Sequence, residues 1–100
     1  MWYLYLVRCA DGCLYTGIST DVSRRLAEHR NNRGARRLRG RGPLELVFQT
    51  AVGDRGSAQR VEYRVKRLDR HAKQALVDGR LALADLDDRV PPASGRAATA

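Results

Sequence analysis

The sequence predicts an α+β fold, a small antiparallel sheet with helices packed on it. Three observations point there. Two strand-like runs at the start flank an Asp-Gly turn. Helical apolar spacing follows, is interrupted by one more strand, and then resumes, giving the order strand, strand, helix, strand, helix, helix. The chain has 100 residues, of which 43% are apolar, enough for one core and not for two. Residues 1–88 are therefore expected to form one domain. Residues 89–100, rich in Pro, Ala, Gly and Ser, read as a disordered tail.

The elements can be taken in order. Residues 2–9 and 13–18 are rich in Tyr, Leu, Val and Ile. Two hairpin loops compete. A two-residue loop at Asp11-Gly12 pairs Arg8 with Tyr15 and puts Tyr5 and Tyr15 on opposite faces. A three-residue loop, Ala10-Asp11-Gly12, pairs Cys9 with Cys13 and Val7 with Tyr15, so that Tyr3, Tyr5 and Tyr15 share a face. Local sequence does not choose between them. Thr20-Asp21 opens a helix, with Thr20 as the expected N-cap and Val22 and Leu26 on the buried stripe. Arg25 and His29 lie four apart and can point at one place. The helix is expected to fray at Asn31-Asn32. Residues 33–43, punctuated by glycine and almost without apolar side chains, read as a mobile loop. A strand is expected from Leu44 to Thr50 and a helix from Ala58 to Leu68, with Ala58, Val61, Val65 and Leu68 facing the core. Asp69 caps a further helix that Gly79 ends. Leu81, Leu83 and Leu86 suggest a last packed segment.

The charge narrows the partner. The net charge is +8, and arginine supplies 17 of the 19 basic residues. A small domain this basic expects a polyanion, and nucleic acid fits best. Between Arg24 and Arg41 stand eight arginines and one acid, Glu28. Within and near that run, Arg24, Arg33, Arg36, Arg37, Arg39 and Arg41, together with Lys66, are the candidate phosphate contacts. No aromatic residue is interleaved among the arginines, so backbone contact rather than base stacking is expected. No apolar run approaches the roughly 20 residues of a membrane span. No charged segment with a cleavage site precedes the first strand. A cytoplasmic location and no membrane partner are expected, with Cys9 and Cys13 as free thiols.

Tyr5, Tyr15, Arg25, His29 and Glu62 could build a phosphodiester-hydrolysing site. Such a site needs a base, a cation for the charge of the transition state, a metal anchor and a placed water. A tyrosine serves as base only if its pKa falls from about 10 toward neutrality. An arginine and a metal ion both push it that way.

In this order and at this spacing the residues resemble the GIY-YIG nuclease superfamily, closest to its small stand-alone bacterial proteins. Tyr3-Leu4-Tyr5 stands ten residues before Tyr15-Thr16-Gly17, like the paired signature of that superfamily. Arg25, ten residues after Tyr15, sits in a segment similar to its first helix. Ala58 to Lys66 is similar to its glutamate-bearing helix. The resemblance implies a three-stranded antiparallel sheet flanked by helices and a single-metal site. It implies that Tyr5 and Tyr15 flank the attacking water, one of them as base, and that Arg25 holds the scissile phosphate. His29 would orient a tyrosine or accept its proton. Glu62 would be the protein ligand to Mg²⁺ or Mn²⁺, and Gly17 would let the backbone lie close to the site. DNA is expected over RNA. With no separate recognition domain, a homodimer or a separate targeting protein is the expected partner. The sequence departs from the family in Tyr-Leu-Tyr for Gly-Ile-Tyr, in Arg37-Leu38 where relatives often carry an aromatic residue and threonine, and in having no late asparagine.

Each residue also has an ordinary reading. Tyrosines pack in strands. Glu62 can pair with Lys66 four residues on, an exposed ion pair worth about 0.3–0.5 kcal/mol. The alternative function is a non-catalytic DNA- or RNA-binding module on the same fold. The two readings separate on whether the five residues converge.

Overall fold

The computed structural model describes residues 1–86; the expected tail, 89–100, lies outside the described residues. Its sheet is three-stranded and antiparallel, in the order β2-β1-β3, from β1 (Trp2–Arg8), β2 (Leu14–Ser19) and β3 (Glu45–Gly53). The helices are α1 (Val22–Arg30), α2 (Arg55–Lys66) and α3 (Arg70–Val77), with short 3-10 turns at Arg36–Leu38 and Leu83–Leu86.

The central strand explains the layering. In Tyr3-Leu4-Tyr5-Leu6-Val7, side chains alternate between the two faces of the sheet. Tyr3, Tyr5 and Val7 turn to one face, where Val22 and Leu26 of α1 meet them together with Leu38 and Leu44. Leu4 and Leu6 turn to the other, against Val65 of α2, Leu76 of α3 and Leu86. Leu4, Leu6, Val65 and Leu76 are all at most 1% exposed. Each such side chain contributes on the order of 1.5–3 kcal/mol by burial. The expected core spacing of α2 holds, since Val61 and Leu68 pack beside Val65.

The hairpin takes the three-residue loop. Val7 pairs with Tyr15. The Cys9 amide donates to the Cys13 carbonyl at 2.9 Å, and Gly12 sits at φ +88°, a conformation that glycine adopts at little cost. Tyr3, Tyr5 and Tyr15 therefore share the α1 face.

Four expectations change. Asp21, not Thr20, is the N-cap of α1, because its carboxylate accepts from the Arg24 amide at 3.0 Å. Asp54 and Asp69 cap α2 and α3 in the same way, at 2.8 Å each. With Asp54 as cap, α2 begins at Arg55, three residues before the expected Ala58. The third strand continues past Thr50 to Gly53, because its pairing with β1 extends to Trp2. The segment 33–43 is pinned and not merely a connector. Its one large apolar side chain, Leu38, is 2% exposed in the α1-side core. The Gly40 amide also donates to Asn32 Oδ1 at 3.0 Å. A lone leucine among arginines is a weak sequence pattern but a strong anchor once a core exists to receive it.

Leu38→Ala should lower stability by about 2–5 kcal/mol. Urea denaturation measures this, and faster amide exchange at Leu38 and Arg41 would accompany it. A loss under about 0.5 kcal/mol, the size of an ordinary surface change, would mean that the loop is not held by this side chain.

Candidate active site

The site is built around Tyr5. Its register partner on β2 is Gly17, and the phenol ring lies directly over that residue. A Cβ on Gly17 would stand 2.5 Å from both Cζ and Oη of Tyr5, so no side chain fits there. The Tyr5 hydroxyl is 2.8 Å from Nε2 of His29, which is 1% exposed and comes from the last turn of α1.

The loop after α1 fixes which hydrogen His29 carries. The Ala35 amide donates to Nδ1 at 3.1 Å. Nδ1 is thus an acceptor, and a neutral imidazole then holds its hydrogen on Nε2. Burial, and the nearby Arg25 charge, push the His29 pKa below its ordinary value, so the ring is neutral at pH 7. His29 therefore donates to the Tyr5 oxygen. Gly34 makes this possible, since a Cβ there would run into the imidazole.

Burial pushes Tyr5 up to about 12, with a further upward push from Tyr15. Arg25, hydrogen-bonded to the same phenol, pulls it down, and the Glu62 carboxylate raises it again. Arg25 is itself oriented by Glu28, at 2.9 Å. The Tyr15 ring completes the cluster. Its centroid is 6.4 Å from that of Tyr5 and 5.6 Å from that of His29, edge to face. Tyr5, Tyr15 and His29 are thus brought together with Arg25 beside them, while Glu62 of α2 acts on Tyr5 through its charge. Glu62 also keeps its ordinary partner, Lys66, at 3.3 Å.

Among the described residues no three His, Cys, Asp or Glu side chains cluster as a metal cage. Zinc, which wants three or four protein ligands, does not fit. A hard dication that keeps most of its waters needs only one or two carboxylates. Glu62 beside two phenols suits Mg²⁺ or Mn²⁺.

The expected phosphate contacts divide. Arg36, Arg37, Arg41 and Lys66 line one cavity beside Tyr15, whereas Arg24, Arg33 and Arg39 are exposed and do not line it. Sequence reading missed the Ala35 amide, Gly34, and Lys73 of α3, which lines the same cavity. None stands in a motif, and only the fold brings them to the site. Cys9 and Cys13 are free thiols; Cys9 is buried, but Cys13 is exposed and not strand packing.

Comparison with known proteins agrees with this geometry. Residues 1–75 match the family described as the GIY-YIG catalytic domain. A UPF0213 protein of Cronobacter sakazakii is 54% identical over 81 residues, covering 81% of this chain and 85% of that one. A UPF0213 protein of Vibrio cholerae is 52% identical over 87 residues, covering 86% of each. The solution NMR structure of a UPF0213 protein from Bacillus halodurans superimposes with a TM-score of 0.51 at 46% identity, over 78% of this chain and 84% of that one.

Gly17→Ala should displace the Tyr5 ring and cost about 1–3 kcal/mol in denaturant unfolding. Unchanged stability would show that the ring does not press on Gly17. The depressed His29 pKa gives a second expectation. The unfolded chain takes up a proton at His29 more readily than the folded one, so stability falls as pH drops through about 6.5. The urea midpoint should decline between pH 7 and 5, and His29→Gln should flatten that decline. An equal slope in the variant would place the titrating group elsewhere.

Proposed function

Because the chain belongs to the GIY-YIG catalytic domain family, we propose that it is a metal-dependent endonuclease that hydrolyses phosphodiester bonds in DNA. It selects by structure or context, with little sequence preference, and acts in the cytoplasm. One observation carries the reading: two phenols and a neutral imidazole meet, with both tyrosines on one face, and the Arg25 and Glu62 charges both act on the Tyr5 phenol.

The residues divide the work. Arg25, held by Glu28, grips phosphate oxygens and stabilises charge in the transition state. His29 positions Tyr5 and does not take its proton, because both ring nitrogens are already committed. Tyr5 accepts from His29 and lies in the field of Arg25, so its own proton is free to be offered toward water or phosphate. With a pKa of about 12, Tyr5 keeps that proton at neutral pH in the free protein. Glu62 would hold a dication, whose charge would offset the carboxylate's upward push on Tyr5 and favour the phenolate. Tyr15 lines the other side of the water. One site cuts one strand, so a single copy nicks, and a duplex break requires a homodimer or two encounters. A separate targeting protein is the other partner consistent with a domain this small.

The test uses labelled single-stranded, duplex, flap and branched DNA and structured RNA, with Mg²⁺ or Mn²⁺. Nicking is expected on at least one DNA. Removing a transition-state contact of this kind costs on the order of 10²–10³ in rate, so Glu62→Gln and EDTA should abolish detectable cutting. Binding by Glu62→Gln, measured by anisotropy, should stay within about twofold, less than the effect of a typical surface substitution. Tight binding with no cutting of any substrate would move the chain to the non-catalytic module. Cutting of RNA alone would correct the substrate.

A further inference from the structure

Beside the catalytic cluster, at the free edge of β2, lies a cavity of about 290 Å³. That is room for about ten waters, enough for one phosphate group and far too little for a duplex. Arg36, Arg37 and Arg41 reach it from the loop after α1, Lys66 from α2 and Lys73 from α3. Two of these cations have a carboxylate, since Arg41 pairs with Asp11 at 2.9 Å and Lys66 with Glu62. Arg36, Arg37 and Lys73 pair with no carboxylate among the described residues.

Three elements distant in sequence thus converge like charges, which repel one another, around a space that no acid among the described residues lines. Burial lowers the Lys73 pKa, and Arg37 and Lys66 lower it further. Such a lysine is stabilised by an incoming anion. A second, independent observation lies in the same wall. Thr16 is 3% exposed, and its hydroxyl is the buried side-chain polar atom left without a hydrogen-bond partner among the described residues. A buried hydroxyl without a partner costs about 1–3 kcal/mol, so a ligand that supplied one would be favoured.

We propose that this cavity is a second phosphate subsite, which binds a nucleic-acid phosphate other than the one to be cut, through Lys73 and Arg37. Tyr15 lines the cavity and faces His29, so the two phosphates lie close along one strand. The position of the second phosphate relative to the cut rests on the nuclease reading; the binding does not. The same chemistry is offered by a terminal monoester and by an internal diester.

Tetranucleotides separate these sources. Binding to the full chain is measured in EDTA, so that nothing is cut. One set carries a 5′-phosphate, a 3′-phosphate or neither. The other has each internal phosphate neutralised in turn as a methylphosphonate. A charge-assisted contact is worth about ten- to hundredfold in affinity. Wild type should lose about that at one phosphate, and Lys73→Gln and Arg37→Gln should no longer distinguish it. Lys73→Arg should retain the discrimination. Arg80→Gln, which removes an equal charge that does not line the cavity, should leave it unchanged. A terminal phosphate singled out assigns an end-binding subsite; an internal one assigns a strand contact. The proposal is overturned if no phosphate stands out in wild type. It is overturned equally if both Gln variants keep the same discrimination, or if Arg80→Gln loses as much as they do. Thermal melting shows that the variants are folded. A chain that shows the coupling and never cuts keeps the subsite and loses the nuclease reading; one that cuts without coupling loses the subsite alone.

Discussion

The contact of the Tyr5 ring with the bare backbone of Gly17 is the constraint on which the rest of the site depends. It requires the register of the three-residue hairpin loop, because only then do Tyr5 and Tyr15 project from the same face. It leaves the phenol oxygen at the depth where His29 reaches it from α1. That reach in turn needs Gly34 to leave room for the imidazole and the Ala35 amide to set its tautomer. Hairpin, helix and loop are therefore coupled through one buried hydroxyl. Interiors are close-packed, so a shift in any of the three is felt by the others.

Burial and charge act on that hydroxyl in opposite directions. Packing Tyr5 into the core fixes it and also makes its phenolate unfavourable, since desolvation penalises the charged form. Arg25 offsets part of this, while Tyr15 and Glu62 add to it. The balance leaves the phenol protonated at neutral pH. The charge is reversed at the neighbouring cavity, where Arg36, Arg37 and Lys73 pair with no carboxylate among the described residues. The basic excess of the chain is thus not a uniform coat. Part of it is neutralised in pairs such as Arg25–Glu28 and Arg41–Asp11, and part is concentrated unpaired at one wall.

The sequence by itself determined the order of the elements and offered the five candidate residues. Alternation in Tyr3-Leu4-Tyr5-Leu6 specifies a strand buried on both faces, while helix starts were legible only to within a turn, since Asp21 and not Thr20 caps α1 and α2 begins at Arg55. Periodicity of 2 and 3.6 is a local property, and so are caps and turns. Only the tertiary structure decided the loop register, the burial of Leu38, the direction of the His29–Tyr5 hydrogen bond, and the meeting of Lys73 with Arg37. All but the first join segments far apart in the chain, and the loop register is chosen by the core that receives Tyr5 and Tyr15. Their energies come from excluded volume, desolvation and charge proximity, which exist only once the segments have been brought together.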